Sequence, residues 1–234
     1  MNWKSILDKA YTPYSKSPKA CVVESEKGNL YVGVRVENIS YPITISAIQA
    51  ACSICLSEGE IPSKVYVQNQ PLSQFHFWVH EFNLEVIETE GLPNKPTANL
   101  LHTLNPDMNV SQHLKDLLGQ AVVPNSDFPV SCLLFTENGY FEGVNVEVSD
   151  WSQGLCAERV AISKAIAAGF RSFTGIEVHT KKGEVSSPCG ACRQVIAEHL
   201  PYNNITLHHS DDTVSEHITI DLLPLNFKSS ILQK

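Results

Sequence analysis

The sequence has no long hydrophobic run, no apolar stretch at its beginning and no cluster of basic residues. None of its apolar runs reaches the length that crosses a bilayer, although 43% of the 234 residues are hydrophobic. Its first residues, Met1 to Ser5, lack the apolar segment of a secretory signal. We therefore expect a globular cytoplasmic protein without a membrane partner.

Positive charge is also scarce, since the formal net charge is −8 and the lysines and arginines are scattered. Proteins whose main partner is nucleic acid usually present a basic patch, so we expect no nucleic-acid partner and a small, uncharged substrate. The seven cysteines are an odd number in a chain without an export signal. They predict reduced thiols, used for metal binding or core packing, rather than a disulfide framework.

What the sequence does contain is an internal repeat with an offset of about 110 residues. Its landmarks are, in matching order, Pro13, Pro18 and Gly33 in the first copy and Pro124, Pro129 and Gly143 in the second. Because strands alternate with helices in each copy, we predict two three-layer α/β/α sandwich domains with mixed β-sheets. The polar, proline-containing stretch 102–111 is the predicted junction, dividing the chain into domains 1–106 and 107–234.

The periodicity of apolar residues predicts the same succession of elements in each copy. In the first copy, strands are predicted at 19–24, 30–36, 64–68 and 84–87 and helices at 45–56 and 73–82. In the second copy, strands are predicted at 130–135, 140–146, 175–180 and 205–208 and helices at 157–168 and 190–200.

Three cysteines of the second copy have the spacing of a metal site. Cys156 stands at the start of one predicted helix, and Cys189 and Cys192 stand at the start of the next. Positive helix ends favour thiolates, and three thiolates suit Zn²⁺ while leaving a fourth tetrahedral position for water. A closed structural zinc site or merely buried thiols are the alternatives, but a closed site needs four ligands and no fourth is evident.

Two neighbours of Cys156 have expected roles at this site. Glu158 lies two residues beyond a ligand, so it can act as general acid and base toward the metal-bound water without binding the metal. Arg159 can offset the negative charge of the thiolates by hydrogen bonding to sulfur. A C-x-E sequence combined with P-C-x-x-C is the signature of zinc deaminases.

The first copy lacks these groups. Its counterparts of Asn145, Cys156, Glu158, Cys189 and Cys192 are Arg35, Ser46, Ile48, Leu72 and Phe75. None of them binds zinc in this pattern, and Ile48 cannot move a proton. We therefore predict one zinc ion per chain and an inactive first copy retained for its packing surface.

Two further pairs imitate metal sites. Cys52 and Cys55 form a C-x-x-C inside a predicted helix, where buried structural thiols are favoured. His76 and His80 are four residues apart on another predicted helix, but no third ligand is evident, which favours surface roles.

The second copy resembles the cytidine deaminase family over nearly all of residues 112–227. The family patterns F-P-V-G-A, G-x-N-V-E, C-A-E-R, P-C-G-x-C-R-Q and L-L-P-x-x-F correspond to residues 128–132, 143–147, 156–159, 188–194 and 222–227. The usual N-A-S-Y is replaced by residues 148–151, with Trp151 for tyrosine, a departure that bears on substrate preference rather than on the chemistry.

The resemblance implies a role for each matching residue. Asn145 and Glu147 would hold the ribose hydroxyls, and the Ala157 backbone together with Glu158 would read the pyrimidine edge. Phe128 would pack beside the base, and Phe227 would do so in a neighbouring subunit's site. For the polar pair a strand-end structural role is the alternative, and for the phenylalanines it is core packing.

The expected reaction is hydrolytic deamination of cytidine or deoxycytidine to uridine or deoxyuridine, with release of ammonia and zinc-bound hydroxide as the nucleophile. By the resemblance, the duplicated chain should form a homodimer and serve pyrimidine salvage. One alternative is a deaminase of a modified cytosine nucleoside or of polynucleotide cytosine. Another is a non-catalytic zinc-binding relative of the deaminases.

Overall fold

The computed structural model describes residues 2–227, which form two β-sheets, one from each copy of the repeat. The helices are α1 (Trp3–Leu7), α2 (Ala47–Ser57), α3 (His76–Phe82), α4 (Val110–Leu117), α5 (Ala157–Ala168) and α6 (Gly190–His199). The strands are β1 (Ala20–Ser25), β2 (Leu30–Val34), β3 (Pro62–Val67), β4 (Glu85–Glu88), β5 (Val130–Thr136), β6 (Gly139–Val144), β7 (Gly175–Thr180), β8 (Asn204–His208) and β9 (Val214–Ile218).

The two sheets have the same core topology. The first has the strand order β2-β1-β3-β4, and the second has the order β6-β5-β7-β8-β9. In each sheet one pair is parallel, β3 with β4 and β7 with β8, while the other pairs are antiparallel. The predicted mixed sheets are thus confirmed, and β9 is an addition to the second copy.

Side chains of the second sheet alternate between two covered faces, as the period of a strand requires. Cys132 and Leu134 of β5 belong to the core that contains α5 and α6, whereas Leu133 belongs to a smaller core with Leu114 and Leu117 of α4. Helices therefore cover both faces of this sheet, which gives the predicted α/β/α layering.

Most predicted elements are present with bounds shifted by a few residues, and α5 and β7 have the predicted bounds. Helix α2 begins at Ala47 because Ser46 is its cap, with Oγ accepting from the Gln49 N–H at 3.2 Å. The helix predicted at 73–82 is shorter, since residues 72–75 form a 3-10 turn.

Three elements were not predicted: α1, α4 and β9. Helix α4 begins inside the predicted junction because the Asn109 side chain accepts from the Gln112 N–H at 3.1 Å and caps it. Strand β9 is largely exposed and mostly polar, so it lacks the alternation that marks a half-buried strand. It is fixed instead by its antiparallel pairing with β8.

The chain passes from the first sheet to the second shortly before α4. The Ala98 N–H still donates to the Leu30 carbonyl at 2.9 Å, whereas His102 exchanges two hydrogen bonds of 2.9 Å with Tyr140 of β6. Within residues 2–227 no helix has both the length and the apolarity to cross a bilayer.

Helices α2 and α5 pack against each other and against the sheets, so that one hydrophobic core runs through both copies. Each helix lies close to a glycine of the neighbouring strand. A Cβ atom on Gly143 would lie 2.2 Å from the Ala157 carbonyl oxygen, and one on Gly33 would lie 2.1 Å from that of Ala47. The glycine landmarks of the repeat are therefore required where helix and strand backbones touch.

Gly143→Ala is expected to lower the free energy of unfolding by about 3 kcal/mol, because the new methyl group collides with backbone that cannot turn aside. Gly119→Ala is the control, since a Cβ there meets nothing within 4 Å. Chemical denaturation of the two variants and the parent protein measures both effects. Equal stability of Gly143→Ala and the parent would contradict this packing argument.

Polar contacts join the first copy to the segment that precedes α5. The Ser149 N–H donates to Glu81 at 2.8 Å, and the Gln49 side chain donates to the Gln153 carbonyl at 2.9 Å. Farther away, the buried Lys164 pairs with Glu58. The first copy thus supports residues 149–153, a segment that contributes Trp151 to the lining of a cavity at the start of α5.

Candidate active site

Three thiols converge where α5 and α6 begin. Cys156 and Cys189 occupy the N-cap positions of α5 and α6, and neither side chain caps its helix. Cys192 lies in the first turn of α6. The three Sγ atoms all lie within 4.8 Å of one another, and those of Cys156 and Cys189 are 3.7 Å apart.

This spacing fits a tetrahedral zinc site. Zn–S bonds of about 2.3 Å at tetrahedral angles put two sulfurs about 3.8 Å apart, close to the 3.7 Å between Cys156 and Cys189. Among residues 2–227 these cysteines are the one group of three metal-binding side chains with such proximity. In this part of the chain no fourth side chain joins the group, which matches a site that keeps one position open.

Hydrogen bonds set the protonation of the thiols. The pKa of Cys189 is held well below its usual range because the Cys156 and Cys192 thiols and the N–H groups of Ala191 and Cys192 donate to it. The pKa of Cys156 is raised because its thiol is one of these donors. The negative charge of a thiolate is thus stabilised at the first turn of α6.

Glu158 lies in the first turn of α5, beside the thiols and almost fully buried, with 3% of its surface exposed. Burial raises the pKa of its carboxyl to about 7, because removal from water disfavours the charged form. Near neutral pH this carboxyl therefore populates both protonation states, as a group that accepts and then donates a proton must do.

Cys156, Cys189 and Glu158 open onto a cavity of about 400 Å³, a size that suits a small ligand. Its wall includes Phe128, Asn145, Glu147 and Trp151. The described residues that line it include two carboxylates but no lysine or arginine. The cavity is therefore suited to an uncharged ligand rather than to an anion.

Asn145 and Glu147 already make hydrogen bonds at the edge of this cavity. The Asn145 side chain accepts from the Val130 N–H at 2.8 Å and donates to the Phe128 carbonyl at 2.9 Å. Glu147 accepts from the N–H groups of Asn125 and Ser126, at 2.9 and 3.1 Å, and from the Ser126 hydroxyl. One amide hydrogen of Asn145 and part of the Glu147 carboxylate remain for a ligand.

Comparison with known proteins finds the same family description for both copies of the repeat. Residues 105–206 match the family described as the cytidine and deoxycytidylate deaminase zinc-binding region, and residues 5–68 match a second family of that description. A cytidine deaminase of Mycoplasma genitalium is 33% identical over 123 residues, which are 52% of this chain and 95% of the relative. The chain belongs to the cytidine deaminase family.

Other members of the cytidine deaminase family match shorter stretches or single copies. A cytidine deaminase of Sporosarcina psychrophila is 50% identical over 80 residues, which are 34% of this chain and 59% of the relative. The crystal structure of cytidine deaminase from Burkholderia pseudomallei superposes with a TM-score of 0.48 and 36% identity. It covers 50% of this chain and 94% of that chain. The family is one of zinc-dependent enzymes, and two deaminase-like domains are present here.

The carboxylate that the first copy shares with the second has the same hydrogen bonds. Glu37 accepts from the N–H groups of Tyr14 and Ser15, both at 3.1 Å, and from the Ser15 hydroxyl. This repeats the contacts of Glu147 with Asn125 and Ser126. The carboxylate thus fixes the preceding turn in both copies, which is a structural role of the kind considered above as the alternative for Glu147.

Arg159 does not contact sulfur as expected. Successive residues of a helix point about 100° apart, so Arg159 leaves the side of α5 that carries Glu158. Its Nη2 instead donates to the Ile43 carbonyl of the first copy at 3.0 Å. The expected hydrogen bond to a thiolate is corrected to a contact between the copies.

A second arginine, not singled out in the sequence, shapes the loop before Cys189. Arg193 Nε donates to the Pro188 carbonyl at 2.9 Å, and its Nη2 donates to the Ser187 hydroxyl at 2.7 Å. Its Nη1 donates to the Leu222 carbonyl at 3.2 Å. The arginine of the P-C-G-x-C-R-Q pattern was the available signal, since five donors on one side chain can fix a loop.

Two of the residues expected to contact the ligand do not belong to the described lining of the cavity. Phe227 is 49% exposed and absent from the described lining, and Ala157 is buried with its carbonyl against Gly143. The two residue pairs that resemble metal sites in the sequence have the expected locations, one in the core and one on the surface. Cys52 and Cys55 are fully buried, and His76 and His80 are exposed on α3.

Proposed function

We propose that this protein hydrolyses the exocyclic amine at C4 of cytidine or deoxycytidine, giving uridine or deoxyuridine and ammonia. The observation that carries the proposal is one cavity at which three converging thiols and a buried carboxyl meet a wall whose described residues include no lysine or arginine. Water adds at C4, the C–N bond breaks, and the amine leaves with the protons it gains.

Zinc would be held by Cys156, Cys189 and Cys192, as one ion per chain in the second domain. The spacing of the sulfurs and the thiolate character at Cys189 support this assignment. When bound, the ion supplies the Lewis acidity that makes water a nucleophile at neutral pH. We take the second domain as residues 107–234, because α4, which covers the outer face of its sheet, begins at Val110.

Glu158 is the proposed proton carrier. Its carboxyl takes a proton from the attacking water and delivers protons to the ring nitrogen and to the departing amine. Its burial beside the thiols supports this role, because a carboxyl shielded from bulk water keeps the proton within the site. By the family resemblance, its carboxyl and the Ala157 backbone would also read the pyrimidine edge.

Asn145 and Glu147 are the proposed anchors of the sugar. The free amide hydrogen of Asn145 would donate to one hydroxyl, and the Glu147 carboxylate would accept from another. The hydrogen bonds of Glu147 to the turn at Ser126, and of Asn145 to Phe128 and Val130, hold both side chains in place, which lowers the cost of binding. Phe128, which lines the cavity, would pack beside the base.

The electrostatics of the cavity favour a free nucleoside over its rivals. A nucleotide or a polynucleotide brings a phosphate, and two carboxylates without a cation in the described lining repel it. A modified cytosine nucleoside is the nearest alternative, and a non-catalytic relative is the alternative of another class. Against the latter, Glu158 is present in the copy that has the thiols and absent from the other.

Ammonia release from a set of substrates tests the proposal. Cytidine and deoxycytidine should be deaminated, and cytidine 5′-monophosphate and a cytosine oligonucleotide should show kcat/KM values at least 100-fold lower. Ultraviolet absorbance follows the loss of the cytosine base. Turnover of the oligonucleotide or of a nucleoside antibiotic without turnover of cytidine would assign the protein to a rival substrate.

The setting of this activity is proposed by resemblance alone. A homodimer would allow Phe227, half-exposed and outside its own chain's cavity, to reach the cavity of the partner. Cytoplasmic pyrimidine salvage is the corresponding role. A mass of one chain in light scattering of the zinc-loaded protein would exclude the homodimer.

A further inference from the structure

The inactive copy has kept a cavity at the position of its lost active site. This cavity, of about 410 Å³, matches the 400 Å³ of the catalytic cavity. Its lining includes Arg35, Ser46, Ile48 and Phe75, the counterparts of Asn145, Cys156, Glu158 and Cys192. The cavity is still present although every catalytic group has been replaced. A domain with a purely structural role would be expected to fill such a cavity with side chains, because protein interiors are closely packed.

The charge of the cavity is the opposite of that in the catalytic copy. Lys19 and Arg35 line it, and no carboxylate belongs to its described lining. Glu37 lies behind Arg35, with 3.2 Å from its Oε1 to the guanidinium Nε, and its oxygens are largely used by the turn at Ser15. The outer donors of Arg35 and the Lys19 ammonium remain to bind an anion.

The two cations are neighbours, since the Arg35 N–H donates to the Lys19 carbonyl at 2.9 Å. Arg35 replaces the proposed sugar anchor Asn145, and Lys19 replaces Val130 beside it. At the positions that correspond to Glu158 and Cys192 the lining is apolar, with Ile48 and Phe75. A ligand with a flat base and a phosphate on its sugar matches this polarity.

Amide side chains complete the site. Gln70 and Gln74 come from the first copy, and Gln153 comes from the segment before α5 in the second copy. Amides donate and accept hydrogen bonds, as the edges of nucleobases do. We propose that this cavity, termed here the cationic cavity, binds a nucleoside monophosphate. The orientation rests on the sugar-anchoring role proposed for Asn145, whereas the existence of the site does not.

Calorimetric titration of the zinc-loaded full chain with cytidine 5′-monophosphate tests the proposal. Lys19→Gln and Arg35→Gln should each weaken binding of this nucleotide at least tenfold, while cytidine turnover stays within twofold. Lys19 is half-buried and has no ion pair among the described residues, so its replacement should leave the fold intact. Lys4→Gln, an exposed lysine on α1 outside the cavity, is the matched control and should bind like the parent.

Several results would overturn the proposal. They are no binding of the nucleotide by the parent protein, unchanged binding by Lys19→Gln and Arg35→Gln, or displacement of the nucleotide by saturating cytidine, which would move it to the catalytic cavity. Inorganic phosphate binding as tightly as the nucleotide would reduce the site to an anion pocket. Turnover of cytidine is measured on the same samples, so failure of the cationic cavity is distinguished from failure of the proposed function.

Discussion

Replacing Glu158 by alanine is expected to lower kcat for cytidine about 10⁴-fold, at the upper end of what a positioned acid and base contributes. The carboxyl is buried beside the thiols and lines the cavity, so no bulk water or neighbouring side chain can take over its proton transfers efficiently. The thiols are untouched by the change. Zinc content should therefore stay near one ion per chain.

Steady-state turnover and metal analysis of the same preparation measure both quantities. Glu142→Gln is the matched control, because Glu142 is also a largely buried glutamate of the second domain but pairs with His113 outside the cavity. It should retain its kcat. Turnover by Glu158→Ala equal to that of the parent, or loss of zinc together with activity, would remove Glu158 from the role of proton carrier.

The part of the site that the sequence predicts is the part that depends on local geometry. Cys156, Glu158 and Cys189 lie at helix starts, and a helix start fixes the direction of its first residues whatever surrounds it. The predicted bounds of α5 and β7 agree with the structure for a similar reason, since their apolar residues follow one face or both faces of an element.

What the sequence does not predict depends on tertiary contacts. From the sequence, Arg159 is expected to offset the charge of the thiolates. In the structure it donates to the Ile43 carbonyl of the other copy. Strand β9 is polar and exposed, and only β8 makes it a strand. Phe75 is identified from the sequence as the replacement of a ligand, but an apolar substitution alone does not say whether the cavity beside it has closed. The structure shows that a cavity remains there.

The first copy also supplies a natural test of the zinc site. At the position of Cys156 it has Ser46, whose hydroxyl accepts from the Gln49 N–H and caps α2. Cys156 makes no such cap on α5. Cys156→Ser should therefore exchange a metal ligand for a helix cap, because a neutral hydroxyl is a poor zinc ligand but a good cap.

Cys156→Ser should lower zinc binding and activity but raise the stability of the metal-free protein. Zinc content and cytidine turnover of Cys156→Ser should fall to background after dialysis. In the absence of zinc, the variant should be more stable than the metal-free parent by about 1 kcal/mol, the usual contribution of a serine cap. Atomic absorption and chemical denaturation of metal-free samples measure the two effects.

The reverse change, Ser46→Cys, should lower the free energy of unfolding of the first domain by about 1 kcal/mol and recruit no zinc, because Phe75 stands where a second thiol would be needed. Full zinc occupancy in Cys156→Ser would show that the three sulfurs are not the ligands, since the remaining pair cannot hold the ion as tightly as all three.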